Sequence, residues 1–305
     1  MKEHNFSQTA LKTACYRAYH AGCDNPKIFD DFLAYDFVGE MEFASFRSQM
    51  LTGFKTAAPE LAASFPDEAA ILAFMMQAMA PPALTVSRAR YAEDTLMESL
   101  KYGVQQYVIL GAGMDTFAFR RPELMENLQV FEVDHPATQE FNRLRLNQLG
   151  WECPSQLHFV PIDFTKESVA TVLKRSMYNP NSLSFFNWLG VTYYLPRDVV
   201  FATLQTIAEA SPPGSRIVFD FLDSDLLIPE KAAPRAQQIL LLGEQIGEPI
   251  KAVFDPAALT NDLAGAGFRL VENLSPPEIQ EHYFNGRSDN YYACENAHFA
   301  CAVVE

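Results

Sequence analysis

The sequence predicts an α/β fold: a mostly parallel sheet flanked by helices, preceded by a segment that is helical throughout. Three observations carry this. Up to about residue 100, apolar positions recur at helical spacing and no strand-like alternation intervenes. From Tyr107 onward, short apolar runs alternate with helical stretches, the pattern of parallel strands joined by crossover helices. The first such run, Tyr107-Val108-Ile109-Leu110, ends in Gly111-Ala112-Gly113, as a buried strand entering a glycine turn does.

The leading segment divides at its prolines. Helical periodicity marks Phe29–Phe37, Met41–Phe54 and Ile71–Met79, with breaks at Asn25-Pro26, Pro59, Pro66 and Pro81-Pro82. Residues 1–100 therefore read as a helical N-terminal cap and 101–305 as the sheet domain, the two forming one compact unit. After the glycine turn, Val130 to Asp134 reads as a second strand and Pro136 to Leu149 as a helix. His158 to Asp163 is a third strand, followed by a helix from Lys166 to Ser176 that opens at Thr165-Lys166. Leu183 to Leu189 is a fourth strand, then Arg197 to Ala210 a helix, and Arg216 to Leu222 a fifth strand. A helical insertion follows, centred on Glu230 to Ile246 and acting as a lid over about 224–254. Pro256 to Ala264 is a helix ended by Gly265 and Gly267, Phe268 to Leu274 a sixth strand, and His298 to Val304 a closing strand.

Composition narrows the function. Lys and Arg number 23 against 38 Asp and Glu, a formal charge of −15, with no basic run. Such a chain is a poor partner for nucleic acid or an anionic membrane, since both are polyanions. The most apolar window, Ala69 to Ala83, is too short to span a bilayer and is bounded by Asp67-Glu68 and Pro81-Pro82, so it reads as a buried helix. The N-terminus lacks the basic-then-apolar pattern of a secretion signal. Five scattered cysteines, with no CxxC pair, suggest neither a disulfide framework nor a zinc site. The expected setting is the cytoplasm, with no metal centre. Oligomeric state is not legible.

The chemistry starts at Gly111-Ala112-Gly113. Glycines after a first buried strand let a ligand approach the backbone closely. A dinucleotide fingerprint would carry a third glycine where Thr116 stands, so the case for a pyrophosphate weakens. A shortened turn suits a cofactor with a nucleoside and no pyrophosphate, of which S-adenosyl-L-methionine is the common one. Asp134 ends the second strand about twenty residues past Gly111, where an acid in doubly wound folds accepts from ribose hydroxyls. It can equally cap the helix that starts at Pro136. Glu132, two residues earlier, can assist or be a buried acid. Asp163 and Phe164 stand at the end of the third strand, where an acid can accept from an adenine amino group and an aromatic ring can line the base pocket; the alternative for Asp163 is again a helix cap.

Beyond these residues, the segment from Arg88 to Leu222 resembles the bacterial S-adenosyl-L-methionine-dependent methyltransferases related to leucine carboxyl methyltransferase. The matching stretches are Ser87-Arg88-Ala89-Arg90-Tyr91-Ala92-Glu93-Asp94, Gln106 to Thr116, Phe131-Glu132-Val133-Asp134-His135-Pro136, Gly190-Val191-Thr192-Tyr193-Tyr194-Leu195-Pro196 and Pro213-Gly214-Ser215-Arg216. Thr13 to Ala18 with Phe29-Asp30-Asp31, and late Gly267-Phe268-Arg269 and Asn285-Gly286-Arg287-Ser288, extend it over most of the chain. The resemblance implies a class I methyltransferase sheet of Rossmann-like type, mostly parallel with an antiparallel last strand. It implies that Arg88 clamps the methionine carboxylate of the cofactor, a role that suits a guanidinium fork, and that Arg17 reaches the same carboxylate. The alternative for Arg88 is an ion pair with Glu93 or Asp94. One departure stands out: where the family carries an acid after the fourth strand, this chain has Leu189.

Methyl transfer from a sulfonium is an in-line displacement, and the main task of the protein is alignment. A carboxylate acceptor needs no base, whereas an alcohol or phenol does. No convincing base stands out: His135 belongs near the ribose and His282 lies late in the chain. The expected acceptor is a small molecule bearing a carboxylate or an acidic hydroxyl, received by the cap (Phe43, Phe46, Met50, Phe54, Met75, Met76, Met79), by the insertion, by Tyr193-Tyr194, or by a local arginine such as Arg287. For most of the cap residues, plain core packing is the competing reading. Two rival functions remain: a non-catalytic binding protein on the same fold, for which Leu189 leaves room, and a nicotinamide-dependent oxidoreductase, against which Thr116 speaks.

Overall fold

The computed structural model describes residues 6–164, 166–245 and 247–305. The leading helices are α1 (Gln8–Cys23), α2 (Ala34–Val38), α3 (Glu40–Ala57), α4 (Pro59–Ala63), α5 (Glu68–Ala78) and α6 (Ala80–Leu100). Their starts follow from local chemistry: Ser7 accepts from Ala10 N–H at the head of α1, and Asp67 accepts from Ala70 N–H at the head of α5. Asn25-Pro26 is a cis peptide. The stretch Phe29–Phe37, expected to be helical, is helical only from Ala34.

The alternating half then begins with β1 (Gln106–Leu110), the single turn α7 (Phe117–Arg120), β2 (Gln129–Asp134) and α8 (Pro136–Leu149). Next come β3 (Leu157–Pro161), α9 (Val169–Lys174), β4 (Ser184–Trp188), α10 (Arg197–Glu209) and β5 (Arg216–Leu222). The chain closes with α11 (Pro234–Gln245), α12 (Leu259–Gly265), β6 (Phe268–Leu274), α13 (Pro276–Ile279) and β7 (Ala297–Val304). The strands form one seven-stranded sheet in the order β3-β2-β1-β4-β5-β7-β6. Pairings among β1 to β5 are parallel, and β7 runs antiparallel to both β5 and β6.

Every expected strand is present, with no end moved by more than two residues. The third stops at Pro161, so Asp163 lies in the loop beyond it. The helix expected from Lys166 starts only at Val169, because Ser168 caps it through Thr171 N–H. Thr165 lies outside the described residues, as do Ile246 at the end of the insertion and residues 1–5.

Both faces of the sheet are covered, which is why its strands read as continuous apolar runs. Tyr107, Ile109, Phe185 and Val218 pack toward the leading helices. Val108, Leu110, Phe131, Phe186, Trp188 and Phe219 pack on the other side with residues of α9, α10 and α12. Of the apolar cap residues, Phe43, Phe46 and Met76 are buried in this core, with Met50, Phe54 and Met75 packed against it. No single helix among the described residues is long and apolar enough to cross a membrane. Helices α5 and α6 reach the required composition only as a pair bent by 65°.

Candidate functional site

A cavity of about 450 Å3 opens at the carboxyl ends of β1, β2, β3 and β4, the place where open α/β sheets hold ligands. All eight residues expected to hold a cofactor line it: Arg17, Arg88, Gly111, Ala112, Gly113, Asp134, Asp163 and Phe164. They come from α1, α6, the turn after β1, the end of β2 and the loop after β3.

The turn after β1 is shaped by two left-handed glycines, Gly111 at φ 70° and Gly113 at φ 59°. A Cβ at Gly111 would lie 2.6 Å from Val191 Cγ2, and one at Gly113 would lie 3.1 Å from Ala10 Cβ. Only glycine fits both conformation and space. Asn142 Nδ2 donates to Gly113 O at 2.6 Å and pins the turn from α8. The helix that follows is a single turn, so no long helix N-terminus faces the cavity. This is the physical counterpart of Thr116 standing in place of a third glycine. Thr116 instead turns its hydroxyl to Asp31 at 2.6 Å.

Asp134 sits at the end of β2. Its two oxygens accept from Gly113 N–H and His135 N–H, each at 2.5 Å. Burial raises its pKa, opposed by those same two hydrogen bonds. The cap of α8 is His135, whose Nδ1 accepts from Ala137 N–H, so Asp134 is not spent on that helix. Glu132 is 3% exposed, does not line the cavity, and has a pKa held well above the ordinary range by burial and by nearby Asp115 and Asp134. Asp163 pairs with Lys166 at 2.9 Å, and Phe164 is half-buried beside it.

Arg88 is buried on α6. Its partner is neither Glu93 nor Asp94 but Asp220 on β5, at 2.8 Å from Nη1, and the same Nη1 donates to Tyr193 Oη at 2.8 Å. Burial opposes its charge, yet Tyr193 and Asp220 outweigh that and raise its pKa. Arg17 is held by Asp31 at 2.8 Å from Nε and donates from Nη2 to Met114 O at 2.6 Å. Arg120 forks onto Glu93 at 3.1 and 2.6 Å. These pairs clamp α1 and α6 onto the turn after β1. Sequence reasoning missed Asp31, Glu93, Asp115, Arg120 and Asp220. Asp31, Glu93 and Asp115 stood inside the matching stretches without a role, and Asp220 left a signal of its own: a lone acid inside the apolar run Ile217 to Leu222.

From the insertion side, Gly247, Glu248, Pro249 and Lys251 line the mouth, and Glu248 accepts from the Thr9 hydroxyl of α1. Tyr194 and Leu189 also line the cavity, whereas Tyr193 does not. Burial pushes the Tyr194 phenol up to about 12. Neither the apolar cap cluster nor Arg287 reaches the cavity. Arg287 is held by Asp289 and by Pro26 O, beside a separate surface pocket that also contains His282. Arg287 thus stands outside the cavity on which Arg17 and Arg88 converge. Among the described residues, no group of three His, Cys, Asp or Glu side chains is arranged to hold a metal ion.

A glycine turn after β1, an acid at the end of β2 and a cavity running under the leading helices define an α/β protein with a ligand-sized site at its strand ends. The sequence profile of leucine carboxyl methyltransferase matches residues 10–208. The "Putative S-adenosyl-L-methionine-dependent methyltransferase YktD" of Bacillus subtilis (strain 168) is 38% identical over 304 residues, covering 99% of both chains. A protein of the same description from Mycolicibacterium paratuberculosis (strain ATCC BAA-968 / K-10) is 33% identical over 44% of this chain and 50% of its own. Among solved structures, a DUF574 family protein from Streptomyces avermitilis MA-4680 superposes with a TM-score of 0.57, covering 96% of this chain and 97% of that one. At 13% identity this likeness speaks for the fold alone. The chain belongs to the leucine carboxyl methyltransferase family, and it is an S-adenosyl-L-methionine-dependent methyltransferase.

Proposed function

We propose that the protein transfers a methyl group to an oxygen of a small-molecule acceptor, a carboxylate or an acidic hydroxyl. The observation that carries this is the convergence of Arg88, Gly111–Gly113, Asp134 and Asp163-Phe164 on one cavity. These residues fit the cofactor. Gly111, Ala112 and Gly113 bring backbone to the cavity wall, where a ligand can approach it closely. Each Asp134 oxygen, bonded once by backbone, keeps a lone pair for a ribose hydroxyl. Arg88 Nε and Nη2 have no acceptor among the described residues, and they suit a ligand carboxylate. Phe164 offers an apolar wall to the base, with Asp163 beside it.

When bound, S-adenosyl-L-methionine supplies a methyl group on a sulfonium whose thioether is a good leaving group. The chain contributes alignment and exclusion of water. Segments 7–17 and 247–251 close over the strand ends, which supports reading residues 1–100 as a cap and about 224–254 as a lid on one functional unit. A proton acceptor is poorly provided. Tyr194, pushed up to about 12, stays protonated at neutral pH, and His135 has spent Nδ1 on its helix cap. That favours an acceptor already ionised, a carboxylate above all. Leu189 adds an apolar contact at the wall, which suits an acceptor with an apolar body.

Calorimetric titration with S-adenosyl-L-methionine, S-adenosylhomocysteine and NADH tests the cofactor site. Binding of the two sulfur compounds and not NADH is expected; silence from both overturns the assignment. Transfer of labelled methyl to a panel of apolar carboxylic acids, phenols and amines then tests the acceptor class. Transfer to amines alone overturns the O-methyl reading.

A further inference from the structure

Asp220 is 1% exposed, inside the apolar run Ile217 to Leu222 of β5. A buried carboxylate persists only where its lone pairs are used. Here one oxygen accepts from Arg88 Nη1 at 2.8 Å and the other from Gly190 N–H at 2.6 Å. The acid thus joins three elements: α6, β5 and the turn after β4. The turn also presses on the guanidinium, since a Cβ at Gly190, whose φ is 73°, would come within 2.6 Å of Arg88 Nη2.

The geometry of this pair differs from its neighbour. Arg120 and Glu93 meet fork to fork, the arrangement that uses a guanidinium most fully in a fixed ion pair. Arg88 meets Asp220 and Tyr193 through Nη1 alone. Nε and Nη2 are left without a protein acceptor among the described residues, on a side chain that lines the cavity. One corner of the fork is tethered and the remaining donors are kept for something else.

We propose that Asp220, with Tyr193, is a positioning residue that aims the free donors of Arg88 at the carboxylate of the cofactor's amino-acid end. The proposal rests on the cofactor reading given above. It makes Asp220 the acid that orders this end of the site in a chain where Leu189 follows the neighbouring strand. Both oxygens of Asp220 must accept. An asparagine serves one donor and faces the other with an N–H, so it releases either Arg88 or the Gly190 turn.

The test compares two ligands that share the nucleoside thioether. S-adenosylhomocysteine carries the amino-acid carboxylate and 5′-methylthioadenosine does not. Asp220→Asn is expected to raise the Kd of S-adenosylhomocysteine about tenfold, the scale of one charge-assisted hydrogen bond, and to leave that of methylthioadenosine within about twofold. Tyr193→Phe, which keeps the packing of the ring, is expected to shift the same ratio in the same direction by about threefold; it decides the matter if Asp220→Asn does not fold. Equal loss for both ligands means a structural role only, unchanged affinity for both means that Asp220 has no part in this end of the site, and tighter binding of S-adenosylhomocysteine alone means that Asp220 restrains the arginine rather than aiming it. Each of these results overturns the proposal. Arg88→Ala separates the two levels: if it leaves the ratio unchanged, the carboxylate reading of Arg88 fails, whereas a shift there with none for Asp220→Asn removes the positioning role alone.

Discussion

Replacing Gly111 by alanine asks how much of the glycine turn is obligatory. Two costs follow from the structure. At φ 70°, an L-residue in the left-handed region loses about 1–2 kcal/mol. The new methyl would also stand 2.6 Å from Val191 Cγ2, and forcing an extra carbon into a packed site costs about 1–3 kcal/mol. The sum is a destabilisation of about 2–5 kcal/mol. The two parts separate in a double-mutant cycle. Val191→Ala removes the colliding methyl, so Gly111→Ala in that background retains only the backbone cost, and the coupling should equal the steric part. Urea denaturation of the four proteins measures this. A single mutant within about 0.5 kcal/mol of the parent, or a cycle with no coupling, would refute the argument that space as well as conformation excludes a side chain here.

Asp134→Ala should weaken S-adenosylhomocysteine and adenosine alike by about 1.5–3 kcal/mol, through lost charged hydrogen bonds; unchanged titrations on a folded mutant would refute the ribose assignment. Glu132 has a folded pKa raised well above the ordinary value by burial, so the folded state holds its proton more tightly than the unfolded one. Its contribution to stability must therefore fall as pH rises above about 4.3, with a slope of at most about 1.4 kcal/mol per pH unit. Glu132→Gln should flatten that part of the stability–pH profile, and identical profiles would count against the unpaired buried acid. Met76→Ala, at a site with 0% exposure, should cost about 2–5 kcal/mol of stability with unchanged S-adenosylhomocysteine affinity; a change in affinity would return this cluster to the binding site. Glu248→Gln should leave the pH–rate profile of a carboxylate acceptor intact, while a drop in turnover of about 10²-fold or more would identify Glu248 as a base and the acceptor as a hydroxyl.

What could be read from the sequence was what local chemistry writes into neighbouring residues. The apolar runs, the Gly111–Gly113 turn and Asp134 lie at short, fixed spacings, so the sheet and the residues that line the cavity at the ends of β1 and β2 were both visible. The partners of Arg88 and Arg17 were not. Asp220 is 132 residues from Arg88 and Asp31 is 14 from Arg17, and nearness in sequence to Arg88 pointed instead to Glu93 and Asp94. Those acids were taken by other arginines: Glu93 by Arg120 and Arg121 beyond the turn after β1, and Asp94 by Arg90 one turn away on α6 itself. Arg287 misled for the opposite reason. Its motif matched, but Asp289, two residues on, neutralises it far from the cavity.

The hydrogen bond between Thr9 and Glu248 joins positions 239 residues apart. With the Arg17–Met114 bond it means that the walls of the cavity exist only once distant parts of the chain have met. A molecule lodged there therefore acts as a rivet through the whole fold, and its affinity is legible in the melting temperature. Ligand at a hundred times its Kd adds about 2.7 kcal/mol to unfolding. Thermal denaturation with S-adenosylhomocysteine present, repeated across a library of carboxylic acids and phenols, thus screens for the missing acceptor without any turnover: a true acceptor adds a second increment on top of the first.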